Sequence, residues 1–469
     1  MQNTLRLTVL AAALAGAFPA LAQSNADVLN ELKALRDRVA ELEKKLQAAE
    51  AAKPKDGQWG MTPEQARELN RVTVKTEALE DSRDAQGLKN LTISGFADPT
   101  FIWNQRQNRA GFQFLNNVAD DGYNYDNSYF GAVTLDFQKE TDSGTRYRLT
   151  LTPNRGTDSV IGNGGLVNEA SVSVPLTDLQ TRLIAGHVPD WTGYEYQSSV
   201  LNKLITHNLL FDFTIPTSFT GAGVDITRGK WWTRVMLAQV NATKNPQGER
   251  APALTYRVDY SRGEFQGWGF AGVHGKAANF RSDDVNPVTL EPYDTSNTRV
   301  DLFEVDGYFI RGDVTVQGQV GFGQQKRAAI TADPVTGEMR DSRWWGLSVL
   351  GAYKFNPRLE GIARLDYISN KKNGGGLLGY TASDERNGIG PAWSLADDGT
   401  GNLAWQQLTP DKGVNRTALS LGLSYAFNLD TTIKAEYRLD RASGAVFVDK
   451  NGNYKKTNNL FGTSVVVAF

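Results

Sequence analysis

Polar and apolar residues alternate along the chain from Leu91 to its end, at the two-residue period of β-strands. In the last ten residues Phe461, Val465 and Phe469 fall on one apolar face, while Gly462 belongs to an opposite face of mostly small residues. A strand with these two faces and a terminal aromatic residue is typical of the closing strand of an outer-membrane β-barrel. At the edge of a soluble sheet, so apolar a face would favour aggregation.

The alternating part of the chain predicts about sixteen strands. Connections after the even-numbered strands are short, and those after the odd-numbered strands are mostly long, which is the layout of an outer-membrane barrel. An even number of strands places both ends of the barrel on the periplasmic side. The predicted strands are 91–103, 128–139, 145–153, 167–174, 180–188, 217–227, 230–241, 252–261, 267–275, 297–310, 313–323, 343–355, 358–369, 415–427, 431–440 and 459–469.

Charged and apolar residues alternate within single strands. In the fifteenth predicted strand Ile433 and Tyr437 alternate with Lys434 and Glu436. A soluble sheet would need a second layer over its apolar face, yet the sequence after Leu88 predicts almost no helix. Closing the sheet with the charged face inward leaves lipid outside, water inside and every backbone group paired. Outward aromatic residues at the periplasmic strand ends predict a girdle: Phe137, Tyr260, Phe355, Phe427 and Phe469.

The N-terminal residues carry export and helix signals. Residues 1–22 have Arg6, an apolar core and Ala20-Leu21-Ala22, which predict a secretory signal peptide. Residues 23–52 predict a periplasmic coiled coil, although a lone amphipathic helix packed on the barrel would show the same pattern. About three heptads are marginal alone, so the barrels would hold the helices together, as a dimer or a trimer. The seam residues are Val28, Leu32, Leu35, Val39, Leu42 and Leu46.

Residues 53–87 predict a linker with a short helix before a barrel that spans 88–469. Thr62 and Gln65 form a predicted capping box around Pro63, and the helix could run to about Asp84. This helix could plug or brace the barrel, or act as a periplasmic spacer, which we favour. The predicted fold class is an all-β transmembrane barrel of about 16 antiparallel strands, preceded by an N-terminal α-helical coiled coil.

A barrel of this size encloses an aqueous channel, so a segment that narrows it sets the selectivity. The long loop near 189–216 contains Leu201, Leu204, Ile205 and Leu209, and is too apolar for a free surface loop. We expect it to fold into the barrel, since irregular backbone at membrane depth must be buried or line a cavity. It could instead contact a neighbouring subunit or cap the rim. The predicted constriction residues are Asp190, Glu195, Lys203, His207 and Asp212.

Charged residues of the inward faces are the predicted pore lining. Basic and acidic residues are nearly balanced, with a slight basic excess, and this balance identifies no solute. Rings of charge set the ion preference of a channel. The predicted lining is Arg146, Arg148, Arg257, Asp259, Glu360, Arg364, Asp366, Lys434, Glu436 and Arg438, with Arg416, Asp136 and Asp225 as further wall charges.

Composition narrows the function further. The mean hydropathy of -0.41 is too polar for a bundle of membrane helices. Cysteine is absent, which excludes disulfides, thiolate metal sites and a cysteine nucleophile. The net charge of -2 gives no indication of a nucleic-acid partner. We therefore expect no cofactor and no metal, and as partners outer-membrane lipid, small hydrophilic solutes, two further copies of the chain, and the barrel-assembly machinery through the strand that ends in Phe469.

Several stretches resemble known families. Residues 186–195, 208–211 and 220–223 resemble OmpL-like β-barrel porins. Residues 59–64, 111–118 and 137–144 look closer to a betaproteobacterial family catalogued as a domain of unknown function, a likeness that spans nearly the whole chain. The layout of a coiled coil before a barrel is similar to that of DcaP-type porins, which are trimers. These resemblances imply an outer-membrane porin without an assigned solute.

The sequence leaves three classes of function. The leading prediction is a passive, trimeric channel for small hydrophilic solutes or ions, with no catalytic residues. An outer-membrane hydrolase would need a catalytic constellation, and His187, His207 and His274 lie in no recognised motif. A structural tether would use the coiled coil, but about 30 residues at 1.5 Å rise span only roughly 45 Å.

Overall fold

The computed structural model describes residues 37, 40, 41, 44, 62–114, 131–153, 165–242, 252–279, 281, 284–293, 295–378 and 389–469. The predicted signal peptide lies outside these residues. Of the predicted coiled coil, four residues are described, each of them helical, and its seam residues lie outside. The described chain from Thr92 onward belongs to one compact unit, and the helix that precedes it belongs to another.

Helix α1 spans Pro63–Ala85 and begins where its capping signals predict. The Thr62 hydroxyl accepts a hydrogen bond from the Gln65 N–H at 3.2 Å, and the Gln65 side chain accepts one from the Thr62 N–H at 3.1 Å. The predicted capping box and helix are therefore confirmed. No helix in the described part of the chain is long and apolar enough to cross a membrane.

Strands make up most of the unit that extends from Thr92 to Phe469. Eighteen of them form one sheet, and two pairs form separate hairpins. The first eleven are β1 Leu91–Ala97, β2 Thr100–Asn104, β3 Arg109–Gln113, β4 Val133–Glu140, β5 Arg146–Leu151, β6 Val167–Asp178, β7 Thr181–Pro189, β8 Ser218–Arg228, β9 Trp231–Val240, β10 Ala253–Ser261 and β11 Gln266–Ala278. The others are β12 Asn297–Arg311, β13 Val314–Gln325, β14 Ser342–Asn356, β15 Leu359–Ser369, β16 Ser394–Asp397, β17 Leu403–Gln406, β18 Arg416–Ala426, β19 Thr431–Ala442, β20 Phe447–Val448, β21 Tyr454–Lys455 and β22 Thr457–Ala468.

The large sheet closes on itself as a sixteen-stranded antiparallel barrel, which confirms the predicted fold of this part of the chain. Both β1 and β2 pair with β22, so they are two parts of one barrel strand. The next barrel strand also has two parts, because β3 pairs with β2 and β4 pairs with β1. The closing register places Phe96 beside Ala468 and Ala97 beside Val467.

The faces of the barrel follow the predicted alternation. On β22 the side chains of Phe461, Val465 and Val467 are exposed on the outer face, while Leu460 and Ser464 point inward and are buried. The neighbouring strand repeats this division, with Ile433 and Tyr437 outside and charged residues inside. The outer surface is thus a belt of large apolar side chains, as contact with hydrocarbon requires.

Some predicted boundaries need correction. The predicted loop after the first strand contains β3, and the second predicted strand, 128–139, is described only from Gly131, with β4 beginning at Val133. The predicted loops 370–414 and 441–458 contain the hairpins β16–β17 and β20–β21. Trp393 stacks on Tyr454 with ring centroids 4.5 Å apart, so the two loops pack on each other.

Candidate pore constriction

A long connection between β7 and β8 fills part of the barrel interior. We call residues 190–217 the inner loop. It contains one turn of 3-10 helix, Ser199–Leu201, and the short helix α2, Leu209–Thr214. The side chain of Asn208 caps α2 by accepting a hydrogen bond from the Phe211 N–H at 2.8 Å.

Apolar side chains of the inner loop pack on inward-facing wall residues. Leu209, Leu210 and Phe213 are buried in one cluster with wall residues such as Trp344 and Ile368. Glycines make room for this contact: a Cβ at Gly346 would lie 3.1 Å from Leu210, and one at Gly321 would lie 3.4 Å from it. The loop residues that looked too apolar for a free surface are thus covered by the wall. The structure places the segment inside the barrel.

Arg364 on β15 is a buried anchor for the loop backbone. Its guanidinium donates to the Thr206 and His207 carbonyl oxygens, each at 2.7 Å. The same group pairs with Glu195 of the loop at 2.9 Å and with Asp366 of the wall at 3.1 Å. Two carboxylates therefore compensate the charge while the remaining N–H groups hold the chain in place.

Three charged residues of β19 anchor the loop from the next part of the wall. The Glu436 carboxylate accepts hydrogen bonds from the Ile205 and Thr206 N–H groups, each at 2.8 Å. Arg438 donates to the His207 carbonyl oxygen at 2.7 Å. Lys434 donates to the carbonyl oxygens of residues 200 and 202. Acidic and basic residues of this wall thus form hydrogen bonds with backbone groups of the inner loop that would otherwise be buried without partners.

The start of the inner loop is held by other strands. Arg257 on β10 donates to the Trp191 carbonyl oxygen at 2.9 Å and to the Gly193 carbonyl oxygen at 3.2 Å. The hydroxyl groups of Tyr194 and Ser348 lie 2.8 Å apart. The inner loop therefore contacts inward-facing residues of β10, β14, β15 and β19.

The predicted constriction residues take different places. The Glu195 carboxylate is buried against Arg364 of the wall. The Asp212 carboxylate is buried 3.8 Å from Arg438. His207 is buried, with its ring nitrogen 2.7 Å from the Tyr196 carbonyl oxygen. Asp190 accepts a hydrogen bond from the Thr192 N–H at 2.9 Å. The expectation that His207 and Asp212 face open water is therefore not met, because both help to seat the loop.

Lys203 is a predicted constriction residue whose side chain is partly exposed. Its ammonium group pairs with Glu360 of β15 at 2.6 Å, and the side chain is 26% exposed. This exposure leaves a positive charge of the inner loop beside the open part of the lumen.

The predicted lining residues divide into two groups. Those on β10, β15 and β19 touch the inner loop or its neighbours: Arg257, Asp259, Glu360, Arg364, Asp366, Lys434, Glu436 and Arg438. Arg146 and Arg148 on β5 instead pair with wall carboxylates: Arg146 with Glu140 at 3.0 Å, and Arg148 with Asp136 at 2.9 Å.

Sequence reasoning missed further inward residues. Arg182 on β7 and Arg234 on β9 face the interior, and Arg234 pairs with Asp225 of β8 at 2.7 Å. Their guanidinium groups lie on the same side of the sheet as the predicted wall charge Asp225, which stands directly beside both in the register. Matching the strands through their short turns from Asp225 could have found them.

The sequence matches one family model, and the fold is similar to those of several solved structures. The family model described as "Protein of unknown function (DUF3138)" matches residues 60–469. No curated protein matches the sequence. Similar solved structures include OmpT of Vibrio cholerae (12% identity, TM-score 0.49, 81% of this chain and 97% of that chain). Others are an anion-selective porin from Comamonas acidovorans (9%, 0.49, 81% and 99%) and the channel DcaP of Acinetobacter baumannii (10%, 0.48, 81% and 97%).

Proposed function

We propose that this chain, which belongs to the DUF3138 family, forms a water-filled channel for passive diffusion of small hydrophilic solutes or ions across an outer membrane. One observation carries the proposal: a closed barrel surrounds a charged inner face that a folded loop covers only in part. Arg364 is buried beneath the loop, whereas Arg148 on β5 keeps 44% of its side chain exposed. Exposed charge inside a closed barrel implies water in the lumen.

The outer face supports the membrane location. Large apolar side chains such as Phe322, Leu365 and Leu421 are exposed on consecutive parts of the wall. A soluble protein rarely exposes a continuous apolar belt of this kind. Closure of the sheet also pairs the backbone groups of neighbouring strands, which a hydrocarbon environment demands. An outer membrane is the setting in which a barrel with both properties is stable.

A homotrimer is the assembly we propose, and the outer face of β6–β9 supports contact between copies. Ala185 and Ala222 lie side by side in the register, and Ala170 lies beside His187. Next to them His187 lies beside Thr220, with the ring nitrogen 2.7 Å from the hydroxyl. Small and polar side chains suit hydrocarbon less well than the bulky residues elsewhere on the belt. A neighbouring chain would satisfy this face better than lipid.

Planar-bilayer recordings of the purified mature chain test the proposal. We expect discrete conductance steps, and a trimer of pores would close in three equal steps. A membrane that stays sealed after insertion of the folded barrel would contradict the channel. Insertion should be checked separately, by protection of the barrel from protease in liposomes, so that a silent membrane cannot reflect missing protein.

A further inference from the structure

We propose that the open lumen prefers anions, through a group of arginines on the inner face of β5–β10. The inference rests on the proposed channel and names the class of solute that would pass most readily. We call the group the arginine row. Its members are Arg146, Arg148, Arg182, Arg234 and Arg257.

The strand register brings most of the row together at one level of the wall. Arg182 on β7 lies beside Asp225 on β8, and Asp225 lies beside Arg234 on β9. Arg234 in turn lies beside Arg257 on β10. Three arginines thus follow one another over four strands with one carboxylate between them. Arg146 continues the row on β5, where Ser173 is its partner on β6.

For three cations of the interior, the side chain is more exposed than the carboxylate with which it pairs. The Arg148 side chain is 44% exposed, whereas its partners Asp136 and Glu169 are each 11% exposed. Arg234 is 22% exposed and Asp225 is 16% exposed. Across the lumen Lys203 of the inner loop is more exposed than Glu360. In these three cases the cation is the more exposed partner, so the positive end of the pair lies nearer the water.

Arg182 lies beside Asp225 in the register, yet its guanidinium is held by neutral acceptors. Its guanidinium donates to the Ser173 hydroxyl at 2.7 Å, the Ser173 carbonyl oxygen at 2.8 Å and the Gly144 carbonyl oxygen at 2.6 Å. Its Nη1 atom is buried without a hydrogen-bond partner. The neutral acceptors orient the guanidinium, and Glu140 and Asp225 attract its charge electrostatically.

The interior also carries further charges of both signs. The wall beneath the inner loop buries acidic and basic residues alike, including Glu436 and Arg438. Arg257 is an exception within the row, because it is less exposed than Asp259. Charges that line an open pore set its ion preference. The exposed arginines of β5 and β9 therefore decide whether the lumen prefers anions or cations.

Reversal potentials in a potassium chloride gradient test the inference. The wild-type channel should give a potential of the sign that chloride permeation produces. The double variant Arg148→Gln/Arg234→Gln should lose this anion preference, because Asp136, Glu169 and Asp225 would remain. The single variant Arg148→Gln should show a smaller shift in the same direction, and it covers the case in which the double variant fails to fold.

Arg343→Gln is the matched control, since it removes one arginine from the exposed outer side of β14, where it contacts Gln324. Its reversal potential should equal that of the wild type. A cation-selective wild type would overturn the inference while leaving the channel intact, and so would an equal shift in the control. A wild type without conductance steps would instead contradict the proposed function itself.

Discussion

Two walls of the same barrel use the same residue types in opposite ways. On the covered wall, formed by β14, β15, β18 and β19, arginines such as Arg364 and Arg438 are buried and donate to backbone carbonyl oxygens of the inner loop. On the open wall, formed by β4, β5 and the ends of β7–β9 next to their short turns, Arg148 and Arg234 pair with wall carboxylates and are partly exposed. The covered wall fixes a segment, and the open wall shapes the field that a solute meets.

The difference lies in what covers each charge rather than in the charge itself. Arg364 and Arg148 both project inward from a strand and both have two acidic neighbours. The inner loop removes water from Arg364, so each of its N–H groups needs a protein acceptor. Arg148 stays in contact with water, and its N–H groups need no protein acceptor beyond the two ion pairs. Substitutions on the two walls should therefore differ in stability, conductance and selectivity.

The largest effect is expected from Arg364→Met. This change leaves Glu195 and Asp366 without their buried cation. Removal of one partner of a buried ion pair lowers the free energy of unfolding by about 3–5 kcal/mol. The inner loop should leave its seat, so the unit conductance should rise and the unfolding temperature in detergent should fall. Single-channel recording and thermal unfolding measure both quantities.

Arg148→Met on the open wall is the control for that experiment. A partly exposed ion pair contributes about 0–1 kcal/mol, so stability should change little. If both substitutions lowered the unfolding temperature equally, the proposed division between a covered and an open wall would be wrong. If Arg364→Met left the conductance unchanged, the anchors of β15 would not hold the loop.

A second substitution tests the apolar part of the seat. Leu210→Ala removes a side chain that packs against Gly321 and Gly346 inside the barrel, and such changes cost about 2–5 kcal/mol in cores. Conductance should become noisier as the loop moves on its wall. Leu365→Ala removes an equally large side chain from the lipid-facing side of β15 and should leave the recordings unchanged. Equal noise in both variants would place Leu210 outside the constriction.

The strand pattern and its connections could be predicted from the sequence, because lipid and water impose a period of two on every wall strand. The predicted strand 91–103 runs across the break between β1 and β2, although Pro99 stands there and lacks the N–H group that a ladder needs. The sequence predicts loops in place of β3 and the two hairpins. They are short, and nothing in their sequences distinguishes them from turns.

The roles of inward residues could be predicted only in part. Inward positions beneath the inner loop are apolar, among them Ile184, Val188 and Phe219, and they blur the alternation of β7 and β8. Arg182 was missed for this reason. The alternation of the strands does not indicate which residues of the inner loop become buried. From the sequence alone, His207 and Lys203 are therefore equivalent. Burial of the first and exposure of the second come from long-range packing, which no local pattern records.

The smallest effect on stability, and the sharpest test of the boundary between the two walls, is expected from Lys203→Glu. The side chain belongs to the inner loop but is partly exposed beside the open lumen, where it pairs with Glu360 at 2.6 Å. A pair of this kind contributes about 0–1 kcal/mol, so the loop should stay seated and the conductance should change little. The reversal potential should nevertheless shift toward cations, because two carboxylates would then face the water that an ion pair faces now. Lys203→Gln should give a shift in the same direction and of smaller size. An unchanged potential in both variants would mean that the exposed margin of the loop lies away from the path of the ions, and the constriction would then belong to the open wall alone.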